Sequence, residues 1–125
     1  MRQLLVHNCV VSVTARPGSL RADVLVAGEV GTAAEPTLTD AVRALSEGSP
    51  RSVFVDLAGV TVAGPALPNF LIQAHNRIPR GSCIVVCRPS AAARSVLVAA
   101  GVMEILTVCD SLIRDLSPVS IEQVW

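Results

Sequence analysis

At 125 residues, 51% of them hydrophobic, the chain suits one compact domain that buries a real core without staples, and a composition this apolar argues against disorder. Ten basic and ten acidic residues cancel, so no global field recruits nucleic acid or an anionic membrane surface. No apolar run approaches the roughly 18 residues of a membrane helix. The opening "MRQLLVHNCVVSV" is broken by His7 and Asn8 and lacks a small-residue cleavage site, so a cytoplasmic protein without membrane insertion is expected.

In chain order, "LLVHNCVVSVTA" reads as an edge strand before the "RPGSLRAD" turn, and "DVLVAGEV" as a β-branched strand ending near Gly28. From Ala33 to Leu45 the spacing Leu38, Ala41, Val42, Leu45 predicts an amphipathic helix. Thr32 and Glu35 are spaced for a capping box, and Pro36 is tolerable only in the first turn. "SVFVDLAGV" is a nearly continuous apolar run, the pattern of a strand covered on both faces.

Residues 67 to 78 return to helical spacing, with Leu67, Phe70, Leu71, Ala74 and Ile78 inward and Asn69, Gln73 and Asn76 outward. "SCIVVC" supplies the next strand. Ser90 is placed to cap a helix over "AAARSVLVAA", with Ala93, Val96, Leu97 and Ala100 inward and Gly101 just past its end. "EILTVC" reads as a short strand, and 111–125 as a last helix and tail ending in Trp125. Strands separated by single helices imply an α/β domain whose mostly parallel sheet has about four to five strands.

Chemistry is scarce along this chain. Neither G-x-G-x-x-G nor a Walker loop occurs, and all ten basic residues are Arg, which removes Schiff-base lysine chemistry. Cys9, Cys83, Cys87 and Cys109 form no C-x-x-C pair or zinc spacing. Cys83 and Cys87 share a strand face and read as small buried hydrophobes. His7 and His75 have no nucleophile beside them in sequence. Asp56 and Glu29, at two strand ends, lack the second acid or ligand cluster that hydrolysis needs, and read as solvent-facing or helix-capping groups. No catalytic residue, metal site or cofactor is expected.

The order of segments is informative. A "G-E-x-x" strand end, the strand and turn "VDLAGVTVAG", an "RG" before the next strand and "AARSVLVAAGV" after it resemble a STAS domain over about residues 22 to 109. This fold is shared by bacterial anti-sigma factor antagonists and the cytoplasmic tails of sulphate transporters. In the antagonists the central turn reads Asp-Ser-Ser-Gly, and the second Ser is phosphorylated by a kinase-like anti-sigma factor. Here Gly64 falls at the Asp, Pro65 at the first Ser, Ala66 at the phosphorylated Ser and Leu67 at the Gly. The family's acidic residue after "G-E-x" is likewise replaced, by Gly31.

Ala66 has no oxygen to modify, and "GVTVAGPALPNFL" offers only Thr61, expected inside the strand. Pro65 and Pro68 delete backbone donors, so this helix start is a poor anion site. The resemblance therefore implies a non-enzymatic regulator, similar to an anti-sigma factor antagonist, that binds a protein partner without the phosphorylation switch. The contact residues are expected at one sheet end: Glu29, Gly31 and Thr32 from the first junction, with Ala63, Gly64, Pro65, Ala66, Leu67 and Asn69 from the second. A structural subunit of a lipid-transporting ABC complex and a small-molecule or nucleotide sensor are the other readings of the same fold. A homodimer is left open.

Overall fold

The computed structural model describes residues 2–6, 9–15 and 20–109, with side chains over 9–14 and 20–107. The predicted last helix and tail over 111–125, His7 and the first half of the "RPGSLRAD" turn, 16–19, lie outside the described residues. Among the described residues six strands form one sheet in the order of the chain: β1 (Arg2–Val6), β2 (Cys9–Ala15), β3 (Arg21–Val30), β4 (Ser52–Ala63), β5 (Cys83–Cys87) and β6 (Thr107–Cys109). The helices are α1 (Glu35–Gly48), α2 (Ala66–Arg77) and α3 (Ala91–Ala100).

The expected α/β architecture is present, and the sheet is larger than four to five strands. The segment read as a single N-terminal strand contains two, β1 and β2, paired antiparallel with Val6 opposite Cys9. β2 is antiparallel to β3, and from β3 onward every pairing is parallel. Each parallel pair is joined by one of the helices, as a βαβ unit requires.

One face of the sheet and the apolar sides of all three helices form a single cluster. Val24 and Val26 of β3, Val53, Val55 and Leu57 of β4 and Ile84 and Val86 of β5 meet Leu38, Leu45, Leu67, Phe70, Leu71 and Leu97. The inward residues assigned to α2 are all buried. In α3, Ala93 and Leu97 are buried and Val96 is partly so, but Ala100 is exposed because α3 ends there, where Gly101 turns the chain at φ 73°. On the opposite sheet face Phe54, Val85 and Cys87 are buried together, and the Arg21 guanidinium lies 4.0 Å from the Phe54 ring centre. Thus Val53 to Leu57 are covered on both faces, as the nearly continuous apolar run predicted.

Of the cysteines with described side chains, Cys9 and Cys87 are buried, and burial pushes the Cys9 thiol above its ordinary value. Cys83 is exposed, contrary to the expectation of a buried hydrophobe, because it is the first residue of β5 and stands at the rim of the sheet.

Two irregularities in the β3–β4 ladder shape the upper part of the molecule. Between Leu25/Asp56 and Ala27/Gly59, and again between Gly28/Val60 and Glu29/Val62, β4 carries one residue more than β3. Each extra residue is a bulge that re-phases the alternation of side chains. Leu57 and Val60 are buried while Ala58, Gly59, Thr61 and Val62 are exposed. Glycine is required at the first bulge, since a Cβ on Gly59 would stand 2.9 Å from the Cβ of Ala27. β5 pairs only with Ser52 to Asp56, so the second half of β4 runs on beyond it.

Candidate functional site

The two junctions singled out in the sequence meet at the carboxyl end of this extension. Glu29 pairs with Val62 and Val30 with Ala63, and the Gly64 amide donates to the Val30 carbonyl at 3.0 Å. The chain after β3 and the start of α2 are thereby held side by side. Glu29, Thr32, Pro65 and Asn69 are exposed, and Gly31, Ala63 and Gly64 are half-buried. Ala66 and Leu67 face the core, at 2% and 0% exposure. Two of the expected contact residues of the elbow therefore have almost no exposed surface. The elbow's outward apolar surface is Pro65 together with Val62, which is 57% exposed and which sequence reasoning left out because the second bulge sets its direction.

The start of α2 is built without side-chain caps. Pro65 occupies the capping position in helical conformation (φ −59°, ψ −18°). The Leu67 amide donates to the Gly64 carbonyl at 3.1 Å and the Asn69 amide to the Pro65 carbonyl at 3.1 Å. Pro65 and Pro68 have no N–H to offer. Of the five residues from Pro65 to Asn69, only Ala66 retains an uncommitted amide, so the cradle of donors by which a helix start binds phosphate is dismantled.

α1 begins in a related way. A 3-10 turn, Thr32–Ala34, precedes it, and the Glu35 amide donates to the Thr32 carbonyl. The Thr32–Glu35 capping box does not form. Ala34 caps α1 with no side-chain bond, because the 3-10 turn already uses the first amides. Pro36 does sit in the first turn, as expected.

Between the first turns of α1 and α2 lies a groove of about 110 Å³. Its floor is Leu38, Ala66 and Phe70, all buried. Its rim is polar: Glu35 and Thr39 from α1, Asn69 and Gln73 from α2, all exposed. Glu35, Thr39 and Gln73 were not site candidates from sequence. The only signal available was Gln73 on the wet side of its helix, and the groove exists only once the helices are placed together.

Asp56 corrects another expectation. It is buried at 6% exposure, with one carboxylate oxygen 2.8 Å from the Arg88 guanidinium and the other accepting from the Ala58 amide at 3.0 Å. It faces neither solvent nor a helix N-terminus. A carboxylate so engaged ties β4 to the end of β5 and holds the chain at the first bulge. Glu29 stands opposite Val62, six residues further along β4, about 20 Å away at the usual rise per residue, so the two acids do not converge. His75 is exposed in the last turn of α2, at the far end from the elbow. Among the described residues no three His, Cys, Asp or Glu side chains gather to hold a metal, and no helix is long and apolar enough to cross a membrane.

No protein-family model and no curated protein matches the sequence. Solved structures do match its shape. An anti-sigma factor antagonist from Mycobacterium paratuberculosis superposes with a TM-score of 0.74, at 20% identity, covering 92% of this chain and 95% of its own. An anti-sigma-factor antagonist (STAS) domain protein from Planctomyces limnophilus gives 0.68, also at 20% identity, over 85% of this chain and 94% of its own. The chain has the STAS fold.

On this STAS scaffold the position that the resemblance assigns to the phosphorylated Ser is the first residue of α2, Ala66. Its side chain points into the core. Thr61 lies within β4, as expected, and is exposed. From Val62 to Gly81 there is no Ser, Thr or Tyr.

Proposed function

We propose that this STAS-fold protein is a non-enzymatic regulator, similar to an anti-sigma factor antagonist, that docks a protein partner at the β3–β4 end without a phosphorylation switch at the α2 elbow. The observation that carries the reading is the elbow itself. It keeps the strand-to-helix geometry of a fold whose solved neighbours are anti-sigma factor antagonists, yet has no hydroxyl between Val62 and Asn69 and almost no free amide to hold a phosphate.

A modification adding about −1.5 to −2 charge has nothing to attach to here. Recognition rests on shape, with Val62 and Pro65 as the apolar contact and Glu29, Thr32 and Asn69 as its rim. A kinase-like anti-sigma factor is the partner the fold suggests. The groove beside the elbow, at about 110 Å³, is smaller than the roughly 300 Å³ at which ligand pockets begin, which at this corner favours a protein partner over a nucleotide.

The test is affinity purification from the native cell with identification of what co-purifies, followed by measurement of its affinity for the wild type and for Val62→Gln. Loss of a buried Val contact should weaken binding about tenfold, while Ile105→Gln, an exposed apolar residue away from the elbow, should leave it unchanged. Undiminished binding of the Val62 variant, or a phosphate found between Thr61 and Asn69 on the native protein, would overturn the proposal.

A further inference from the structure

We infer that the groove between α1 and α2 seats a guanidinium group, an arginine side chain presented by the protein partner. The inference rests on the reading that this corner docks a partner, and it names the chemistry that partner must offer.

The first argument is the inventory of groups around the groove. Glu35 contributes a carboxylate that only accepts, and Asn69 and Gln73 contribute carboxamides, whose oxygens accept and whose NH2 groups donate. Thr39 adds a hydroxyl. None of these four side chains has a hydrogen bond or ion pair among the described residues. Among the described residues no cation lines the groove. Arg43, one turn beyond Thr39 on α1, is held by Asp40 at 2.9 Å.

The field of the two helix starts would ordinarily favour an anion. Here it has few donors through which to act. The amides of Glu35, Leu67 and Asn69 are bonded to backbone carbonyls, and Pro36, Pro65 and Pro68 have none. Of the backbone donors around the groove only the Ala66 amide is left, the Thr39 hydroxyl and the two carboxamides can turn either a donor or an acceptor inward, and the one charged group is the Glu35 carboxylate, an acceptor.

The second argument is shape. A volume of about 110 Å³ accommodates the head of one side chain. The floor of Leu38, Ala66 and Phe70 is apolar and buried, so the occupant must be shed of water on one side while its edge is satisfied by the rim. A guanidinium is planar, weakly hydrated and carries its donors around its edge. An ammonium is compact and strongly hydrated, and loses more on entering.

The experiment is a titration of the full chain, followed by 1H–15N NMR, with Nα-acetyl-arginine amide. The matching citrulline derivative serves as neutral isostere and the lysine derivative as the alternative cation. Saturable shifts are expected at the Asn69 and Gln73 side-chain amides and at the backbone of residues 35–39, with affinity for the arginine derivative at least threefold above that for lysine and no saturation with citrulline. Glu35→Gln should weaken the arginine response about tenfold, and Glu47→Gln, exposed at the other end of α1, should not.

An equal response to citrulline or lysine, shifts confined to other residues, or an unaltered response in Glu35→Gln would overturn the assignment. If the arginine derivative fails while Val62→Gln still releases the purified partner, the docking corner stands and only its occupant is wrong. If both fail, the corner itself is not the docking surface.

Discussion

Two helices of this fold, α2 and α3, start after neighbouring parallel strands, and they start by different means. At α3 the chain leaves β5 through Arg88, in the left-handed region at φ 48°, and Ser90 then caps the helix, its Oγ accepting from the Ala93 amide at 3.1 Å. The Ser90 amide donates to the Leu57 carbonyl at 3.2 Å, and Arg88 closes on Asp56. Every step of that junction is polar and serves the fold. At α2 there is no side-chain cap, two of the first residues are prolines, and the outward groups are apolar or unpaired. A helix start whose side chains are spent on holding the chain has nothing left for a partner. One held by backbone bonds and proline rings keeps its surface uncommitted.

The sharpest way to break this contrast is Ala66→Glu. If Ala66 were a surface residue of the elbow, the carboxylate would face water and stability would hardly change. At 2% exposure it must instead be buried without a partner or push α2 off the sheet, and a loss of about 3 kcal/mol or more is expected by urea denaturation. A fully stable Ala66→Glu protein would show that α2 starts further from the core than described. The same burial means that Ala66→Ser alone does not restore an accessible phosphoacceptor, so no phosphate is expected on that variant.

This burial also marks where sequence reading stops. The alternation of strands and helices, the inward side of α2, the Ser90 cap and the two-sided cover of β4 are all local periodicities, and they are legible because period and burial coincide. What was not legible depends on register. The two bulges turn Val62 outward. The partner of Asp56 comes from Arg88, 32 residues away. The groove rim draws on two helices separated by a strand. In "AGPALPN" composition alone cannot say which small residues face water, since a helix start offers both sides to Ala and Pro alike.

A middle-sized effect separates the two junctions directly. Ser90→Ala removes the acceptor of the Ala93 amide and should cost about 1 kcal/mol, the usual loss for an N-cap serine. Because the exposed β3–β4 end is built independently of that cap, affinity for the partner should not follow the loss. A Ser90→Ala protein as stable as the wild type would mean that α3, like α2, is held by backbone and packing alone, and the contrast would vanish.

The smallest effect tests the α2 side. Pro65→Ser places at the start of α2 the residue that α3 uses, and by helix-capping preference alone it should stabilise. In this geometry it has nothing to cap. The Leu67 amide is bonded to the Gly64 carbonyl, Pro68 has no amide, and residue 65 sits in the helical region rather than the extended conformation that aims Ser90 at its target. Loss of the proline ring also frees the unfolded chain, which costs about 0.4 to 1 kcal/mol at a compatible site. The expected result is a slight loss of stability and never a gain. A gain of about 1 kcal/mol would show that the Leu67 amide is free after all, and with it the helix start would regain a second donor with which to hold an anion.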